Sequence, residues 1–305
     1  MNISSSGRSV AILNARPGSG ADLFGFLLWH GAAGSGHTLV HLDPFGLSDG
    51  FTQTFSLVHE ERQPVEGSEQ AVITDACLGC GSCALLCRFG AVRRTRISGN
   101  AASHRTPWHI DPLNCIGCGV CARFCPSGAI VMRRSAIGTL QISRRPETGS
   151  TAISILLEPG RDITDCSVAR AIREGKNRRT GDGANLFITG LSVTSPVAPG
   201  VCTEAEILIF TVSPVPGAER FLDKAVEITS GTGRRPRVVV TDSDRNPERA
   251  HSLEVYSRAA GLEPSGHLPS CAAWHAAELY GANADRLISD AGPASPLNII
   301  SDILR

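Results

Sequence analysis

Between Ala76 and Ile130 the chain carries one cysteine string twice: Cys77-x2-Cys80-x2-Cys83-x3-Cys87, then Cys115-x2-Cys118-x2-Cys121-x3-Cys125-Pro126. Eight of the eleven cysteines lie here, so this segment limits the possible folds more than any other. The spacing is the one that wraps four thiolates around a cubane of iron and sulfide. Two intervening residues make a tight turn that brings successive sulfurs onto one face of a cluster. Gly81 and Gly119 follow the second cysteine of each string, where a missing Cβ lets the backbone turn close to an inorganic core. Pro126 is read as the stop for a helix that would otherwise run past Cys125, and Arg88 holds that place in the first string. A structural zinc site takes four ligands, often as two Cys-x-x-Cys pairs, and does not ask for two identical four-cysteine strings. A disulfide framework belongs to an exported chain.

In the two-cluster bacterial ferredoxin pattern the fourth cysteine of each string ligates the other cluster. The expected sets are therefore Cys77, Cys80, Cys83 and Cys125 for one cluster, and Cys115, Cys118, Cys121 and Cys87 for the other. Two [4Fe-4S] clusters are the expected cofactors.

With 305 residues, 42% of them hydrophobic and 19% charged, the chain has material for one large domain or two ordinary ones. Its formal net charge is zero, which gives no global pull toward nucleic acid or an anionic membrane. No apolar run approaches the roughly 18 residues of a spanning helix. The first residues hold only the short apolar run Val10–Leu13, less than a signal peptide's core, so a cytoplasmic protein is expected. Lys176 and Lys224 are the only lysines among 29 basic residues, which removes lysine chemistry from the N-terminal half.

Ser9–Leu13 reads as a buried strand, followed by the glycine-rich turn Arg16-Pro17-Gly18-Ser19-Gly20, a helix over Leu23–Trp29 and a second strand at Thr38–Leu42. That order opens a doubly wound α/β domain. A polar segment, His59–Gln70, leads into the cysteine module and Arg133–Arg134 leads out. Strands follow at Thr151–Leu157, Leu186–Thr189, Ile207–Val212 and Arg237–Thr241. Helices are expected at Cys166–Glu174, Gly217–Thr229, Pro247–Ala260, Ala272–Tyr280 and Leu297–Leu304. Alternating strands and helices argue for a parallel sheet covered on both faces. The expected organisation is a discontinuous α/β domain, 1–69 with 135–305, and an inserted α+β module, 70–134.

This order resembles the MinD/Mrp-type P-loop ATPases that carry an inserted two-cluster ferredoxin. The cysteine motifs at Cys87–Val92 and Cys125–Ile130 are similar to that family's, and Thr211–Phe221 is similar to its Thr-Glu-Pro-Thr-x-x-Gly strand-to-helix turn. The resemblance implies a P-loop NTPase-like doubly wound sheet with a bacterial-type ferredoxin inserted, action as a dimer, and a place in metal-cofactor assembly or electron delivery.

Departures from the family pattern shape the functional expectation. The family's phosphate loop reads Gly-Lys-Gly-Gly-x-Gly-Lys-Thr, and the matching residues here are Ala15, Arg16, Pro17, Gly18, Ser19, Gly20, Ala21 and Asp22. Ala21 replaces the lysine that reaches the β/γ-phosphates, and Asp22 replaces the magnesium-binding hydroxyl. Arg16 replaces the signature lysine that reaches across the dimer. Asp43 matches the first acid of the family's Asp-x-Asp, but Phe45 fills the second. The magnesium-ordering acid aligns with Thr189, and the adenine-reading Asn with Thr241 or Asp242. Mg-ATP is therefore expected not to bind.

The family's carrier branch adds a Cys-x-x-Cys that bridges subunits; Cys166, Cys202 and Cys271 form no such pair and are expected to be free thiols. The module from Gln70 to Arg134 sets eight arginines against Asp75 and Asp111, which offsets the clusters' negative charge and suits an acidic redox partner. Phe89, Phe124 and Trp108 are expected to pack around the clusters. His37 and His41, four apart on a predicted strand, are not expected to share a metal. Together these residues suggest an iron–sulfur electron-transfer or cluster-bearing subunit without ATPase activity, paired with itself or an intact MinD-like ATPase paralogue. The alternative is an ATPase that couples nucleotide to electron or cluster transfer, with Arg16 as its phosphate contact.

Overall fold

The computed structural model describes residues 7–16, 19–32, 36–42, 52, 55–94, 107–112, 114–159, 161–180 and 183–270. The helices expected at Ala272–Tyr280 and Leu297–Leu304, and the positions Pro17, Gly18, Asp43, Phe45 and Cys271, lie outside the described residues.

The chain divides into two compact units, Met1–Gln63 with Thr139–Leu156 and Ser167–Arg305, and Pro64–Gly138 with Leu157–Cys166. Its strands are β1 (Ser9–Asn14), β2 (Thr38–His41), β3 (Val58–Ile73), β4 (Val92–Arg94), β5 (Trp108–Ile110), β6 (Ile130–Arg144), β7 (Thr151–Leu157), β8 (Leu186–Ser192), β9 (Ile207–Val212), β10 (Arg237–Thr241) and β11 (Glu263–Leu268). The helices are α1 (Ala21–Gly31), α2 (Ser82–Leu86), α3 (Val120–Arg123), α4 (Asp165–Arg178), α5 (Ala198–Glu204), α6 (Ala218–Thr229) and α7 (Pro247–Ala259).

Among the described residues nine strands form one sheet, in the order β11-β10-β9-β1-β8-β2-β7-β6-β3. From β11 to β7 every pairing is parallel; Ser9 faces Leu186 on one side of β1, and Val10 faces Ile207 on the other. Parallel strands need crossovers, and helices on both faces leave little polar surface on the strands. β1 and β9 are accordingly almost wholly buried. Side chains alternate between faces. Val239 joins the core around Phe24, Phe26, Leu27 and Trp29, whereas Val238 and Val240 join the one beneath α6 and α7.

Two features depart from the sequence reading. The polar stretch His59–Gln70 is the body of the 16-residue strand β3, and Arg133–Arg134 lies inside the 15-residue β6 rather than in a connector. β3 is an edge strand, where charged side chains stay in water and Pro64 forfeits no interior ladder bond. β11 lies at the other edge and carries Pro264, which hid it from a propensity reading.

The second unit contains the cysteine strings. A two-stranded antiparallel sheet, β4 with β5, pairs Val92 with Ile110 and Arg94 with Trp108. A small apolar core gathers Ala71, Cys83, Val92 and Ile130, with Trp108, Ile110 and Met132 against it. The Trp108 indole N–H donates to the Gly79 carbonyl at 3.2 Å, and the Arg94 guanidinium lies 5.6 Å from the ring centre.

Candidate functional site

Each cysteine string folds as a turn, a very short helix and a second turn. Glycines 38 residues apart adopt matching left-handed conformations: Gly79 and Gly117 at φ 73° and 72°, Gly81 and Gly119 at 77° and 71°, and Gly90 and Gly128 at 62° and 63°. At Gly117 the requirement is also one of space, since a Cβ there would meet the Glu69 carbonyl oxygen at 2.1 Å. Helix α2 ends at Leu86 without a proline, and α3 ends at Arg123, before Pro126. The turn that follows, rather than the proline assigned this role from sequence, is common to both strings.

Cys83 is buried; Cys87, Cys115, Cys121 and Cys125 are partly buried against the same apolar core. Cys80 and Cys118 are exposed, and Cys77 is intermediate. Burial pushes the Cys83 thiol up, and Cys77 and Cys80 close by add to the rise. Cys121 is raised in the same way, by burial and then by Cys115 and Cys118. Hydrogen bonding from Ser82 lowers Cys80, while Cys125 of the other string opposes that shift. Cys125 thus lies close enough to Cys80 of the opposite string for their charges to interact. Burial also acts to raise Cys87 and Cys125, but the surrounding backbone N–H groups outweigh it. For Cys87 these come from Ala91, Phe89, Val92 and Gly90; for Cys125 the Ser127 hydroxyl joins the amides of Ser127, Ala129 and Ile130.

This donor set fits a thiolate-bound cluster: soft sulfurs, with Cys87 and Cys125 stabilised as anions by nearby amides, on a backbone kept clear by glycine. Among the described residues, no three His, Cys, Asp or Glu side chains converge as a single metal ion requires. His37 Nδ1 instead accepts from the Asn185 amide at 2.9 Å, and His41 Nδ1 stands 3.7 Å from Asp22. His267 Nε2 meets Glu254 at 3.2 Å.

Trp108 packs against the core, but Phe89 and Phe124 are 48% and 60% exposed.

The second candidate site lies where the carboxyl ends of β1, β2, β8, β9 and β10 meet the start of α1, the crevice in which open α/β sheets bind ligands. Gly20 caps α1 in a left-handed conformation. The Ala21 N–H donates to Asn14 Oδ1 at 3.0 Å, and the buried Ser19 hydroxyl reaches the Thr211 carbonyl at 2.8 Å and Asn14 Oδ1 at 3.1 Å. Thr241 donates to the Ser19 carbonyl at 2.9 Å. Thr189 lies 3.1 Å from both the Ala21 carbonyl and Asp22 Oδ1. The turn is thus tied to the strand ends by its own side chains. Arg16 is exposed, and Asp22 puts a carboxylate at the helix start. Sequence reasoning missed Asn14, for which the only hint was a polar residue at the end of an otherwise apolar strand, and named Thr211 only as the start of the strand-to-helix motif.

Residues 76–129 match the family model of the 4Fe-4S dicluster domain. No curated protein matches the chain in a sequence search. Among solved structures, the chain is similar to the ParA family ATPase from Chlorobium tepidum TLS, at 10% identity and TM-score 0.52 over 98% of this chain and 100% of that one. It is also similar to the MinC:MinD cell division protein complex of Aquifex aeolicus (10%, TM-score 0.55, 98% and 96%). MinD cell division protein of Aquifex aeolicus is a third match (12%, TM-score 0.52, 97% of each chain). At such identities the likeness is one of fold. The chain thus has a MinD-like, P-loop NTPase-type α/β fold with a ferredoxin-type 4Fe-4S dicluster segment inserted. Among the described residues no helix is long and apolar enough to cross a membrane.

Proposed function

We propose that this protein is an iron–sulfur electron-transfer or cluster-bearing subunit whose MinD-like scaffold does not hydrolyse ATP. Cys77, Cys80, Cys83 and Cys125 would hold one [4Fe-4S] cluster, and Cys115, Cys118, Cys121 and Cys87 the other. When bound, such clusters supply one-electron redox chemistry. The chain's own part is to provide the thiolates, to steady them with the amides after Cys87 and Cys125, and to keep the turns open with glycine.

The observation that carries the non-hydrolytic reading is the Ala21–Asn14 hydrogen bond. A phosphate loop works by aiming free backbone N–H groups at an anion. Here the amide at the position of the phosphate-reaching lysine is already donated, no lysine replaces the lost charge, and Asp22 repels an incoming phosphate. In our reading the domains are 1–69 with 135–305 and 70–134, the protein is cytoplasmic, and it pairs with a second copy or an intact MinD-like ATPase whose nucleotide state gates the clusters. A separate redox protein exchanges the electrons.

Anaerobically purified protein tests this directly. About eight iron atoms per chain, a paramagnetic signal after dithionite reduction and no saturable heat with Mg-ATP are expected. Iron-free protein would remove the cluster assignment, and steady ATP turnover would remove the non-hydrolytic one.

A further inference from the structure

The described residues include ten large hydrophobic side chains left exposed, and seven of them fall within residues 78–124. Leu78, Leu85, Leu86, Phe89, Ile116, Val120 and Phe124 all lie within two residues of a string cysteine. Each is therefore within about 8 Å of chain from a thiol. Leu85 is 90% exposed, Leu78 77% and Phe124 60%, more than scattered surface residues require. Four exposed arginines stand among or close to them in sequence, Arg88, Arg123, Arg133 and Arg134, and none is ion-paired among the described residues. Arg93, by contrast, has Asp111 at 3.8 Å.

Resting on the cluster reading above, we infer that the surface around the cysteine strings docks a one-electron redox protein presenting an apolar centre ringed by carboxylates. The partner's charge follows from the arginines. Segment 70–134 has eight arginines against two aspartates, and two oxidised clusters with their thiolates bring about −4, leaving about +2. Closing an apolar surface over unpaired guanidinium groups is costly unless carboxylates meet them. A second copy of this chain would set arginine against arginine across a two-fold axis. An anionic membrane would satisfy the charge, but interfacial binding uses a long amphipathic helix, and α2 and α3 have five and four residues. Lipid over the residues next to the thiols would also seal the clusters from any electron carrier.

The test uses the intact, anaerobically reduced holoprotein in a stopped-flow mixer with oxidised flavodoxin, an acidic flavin mononucleotide protein. One electron leaves a reduced cluster, and the flavin gains it with a proton from water to become the semiquinone. The rate is expected to fall at least tenfold between about 20 mM and 500 mM salt, as screening removes the attraction. L85S/F124S and R88E/R123E are each expected to slow it at least fivefold at low salt while keeping full iron content. A flat or rising salt dependence overturns the proposal, as does an unchanged rate in L85S/F124S. So does failure to reduce flavodoxin while the small anion ferricyanide is reduced. Binding to phosphatidylglycerol vesicles with loss of flavodoxin exchange would replace the partner with a membrane. Iron-free protein would instead refute the cluster reading, an outcome separately visible in the iron assay.

Discussion

The Ala21 amide, at the position of a phosphate-reaching lysine, gives its proton to Asn14 Oδ1 at 3.0 Å. Asn14 is 6% exposed, so removing its side chain strands a buried donor. Asn14→Ala is expected to cost about 1–3 kcal/mol, the usual penalty for such an orphan, read from the denaturant midpoint followed by circular dichroism. The variant should still show no saturable Mg-ATP heat in calorimetry, because Asp22 and the missing lysine remain.

The crossed cysteine sets predict non-additive iron loss. Cys83→Ser and Cys125→Ser should each remove about half the iron, and the double variant no more than either alone. Cys83→Ser with Cys87→Ser should remove nearly all of it. Uncrossed ligation, with each string holding its own cluster, would reverse the two double variants.

Gly117 and Gly119 separate backbone strain from lack of room. Both adopt φ near +71°, but a Cβ at Gly119 has nothing within 4 Å, whereas at Gly117 it would meet the Glu69 carbonyl. Gly119→Ala should therefore lose only about 1–2 kcal/mol, from the left-handed conformation alone. Gly117→Ala should prevent cluster assembly, read as loss of bound iron per chain.

Cys202 is fully buried, and burial pushes its thiol up to about 11 despite Arg234 nearby. The folded state thus holds this proton more tightly than the unfolded chain. Its contribution is complete below the unfolded thiol's value near 8.5 and is lost as pH rises toward about 11. Stability is expected to decline by on the order of 3 kcal/mol across that window, and Cys202→Ala should flatten the decline. At pH 8 iodoacetamide should label exposed Cys166 in the native protein and Cys202 only after unfolding.

The parts legible in the sequence were those with a period or a fixed spacing. Runs such as Ile207–Val212 and Val238–Val240 announced buried parallel strands, and the cysteine strings announced their module. β3 was hidden because an edge strand does not need the apolar pattern of a central one, and β11 because Pro264 and Gly266 obscure it. The ties around the phosphate loop were not legible either. Asn14, Thr211 and Thr241 are ordinary polar residues in sequence, and only the parallel register of β9, β1 and β10 carries them to the turn.

Among the described residues, both borders of the nine-stranded sheet contain a proline, Pro64 in β3 and Pro264 in β11. A residue without an N–H leaves a gap in the outward row of donors, and the charges at Glu60, Glu61 and Arg62 make one border still less receptive. A neighbouring chain therefore finds a poor template at either rim. Assemblies of this protein should be built through helices and loops, and sheet-to-sheet fusion, with the fibrous growth it invites, is discouraged from both sides.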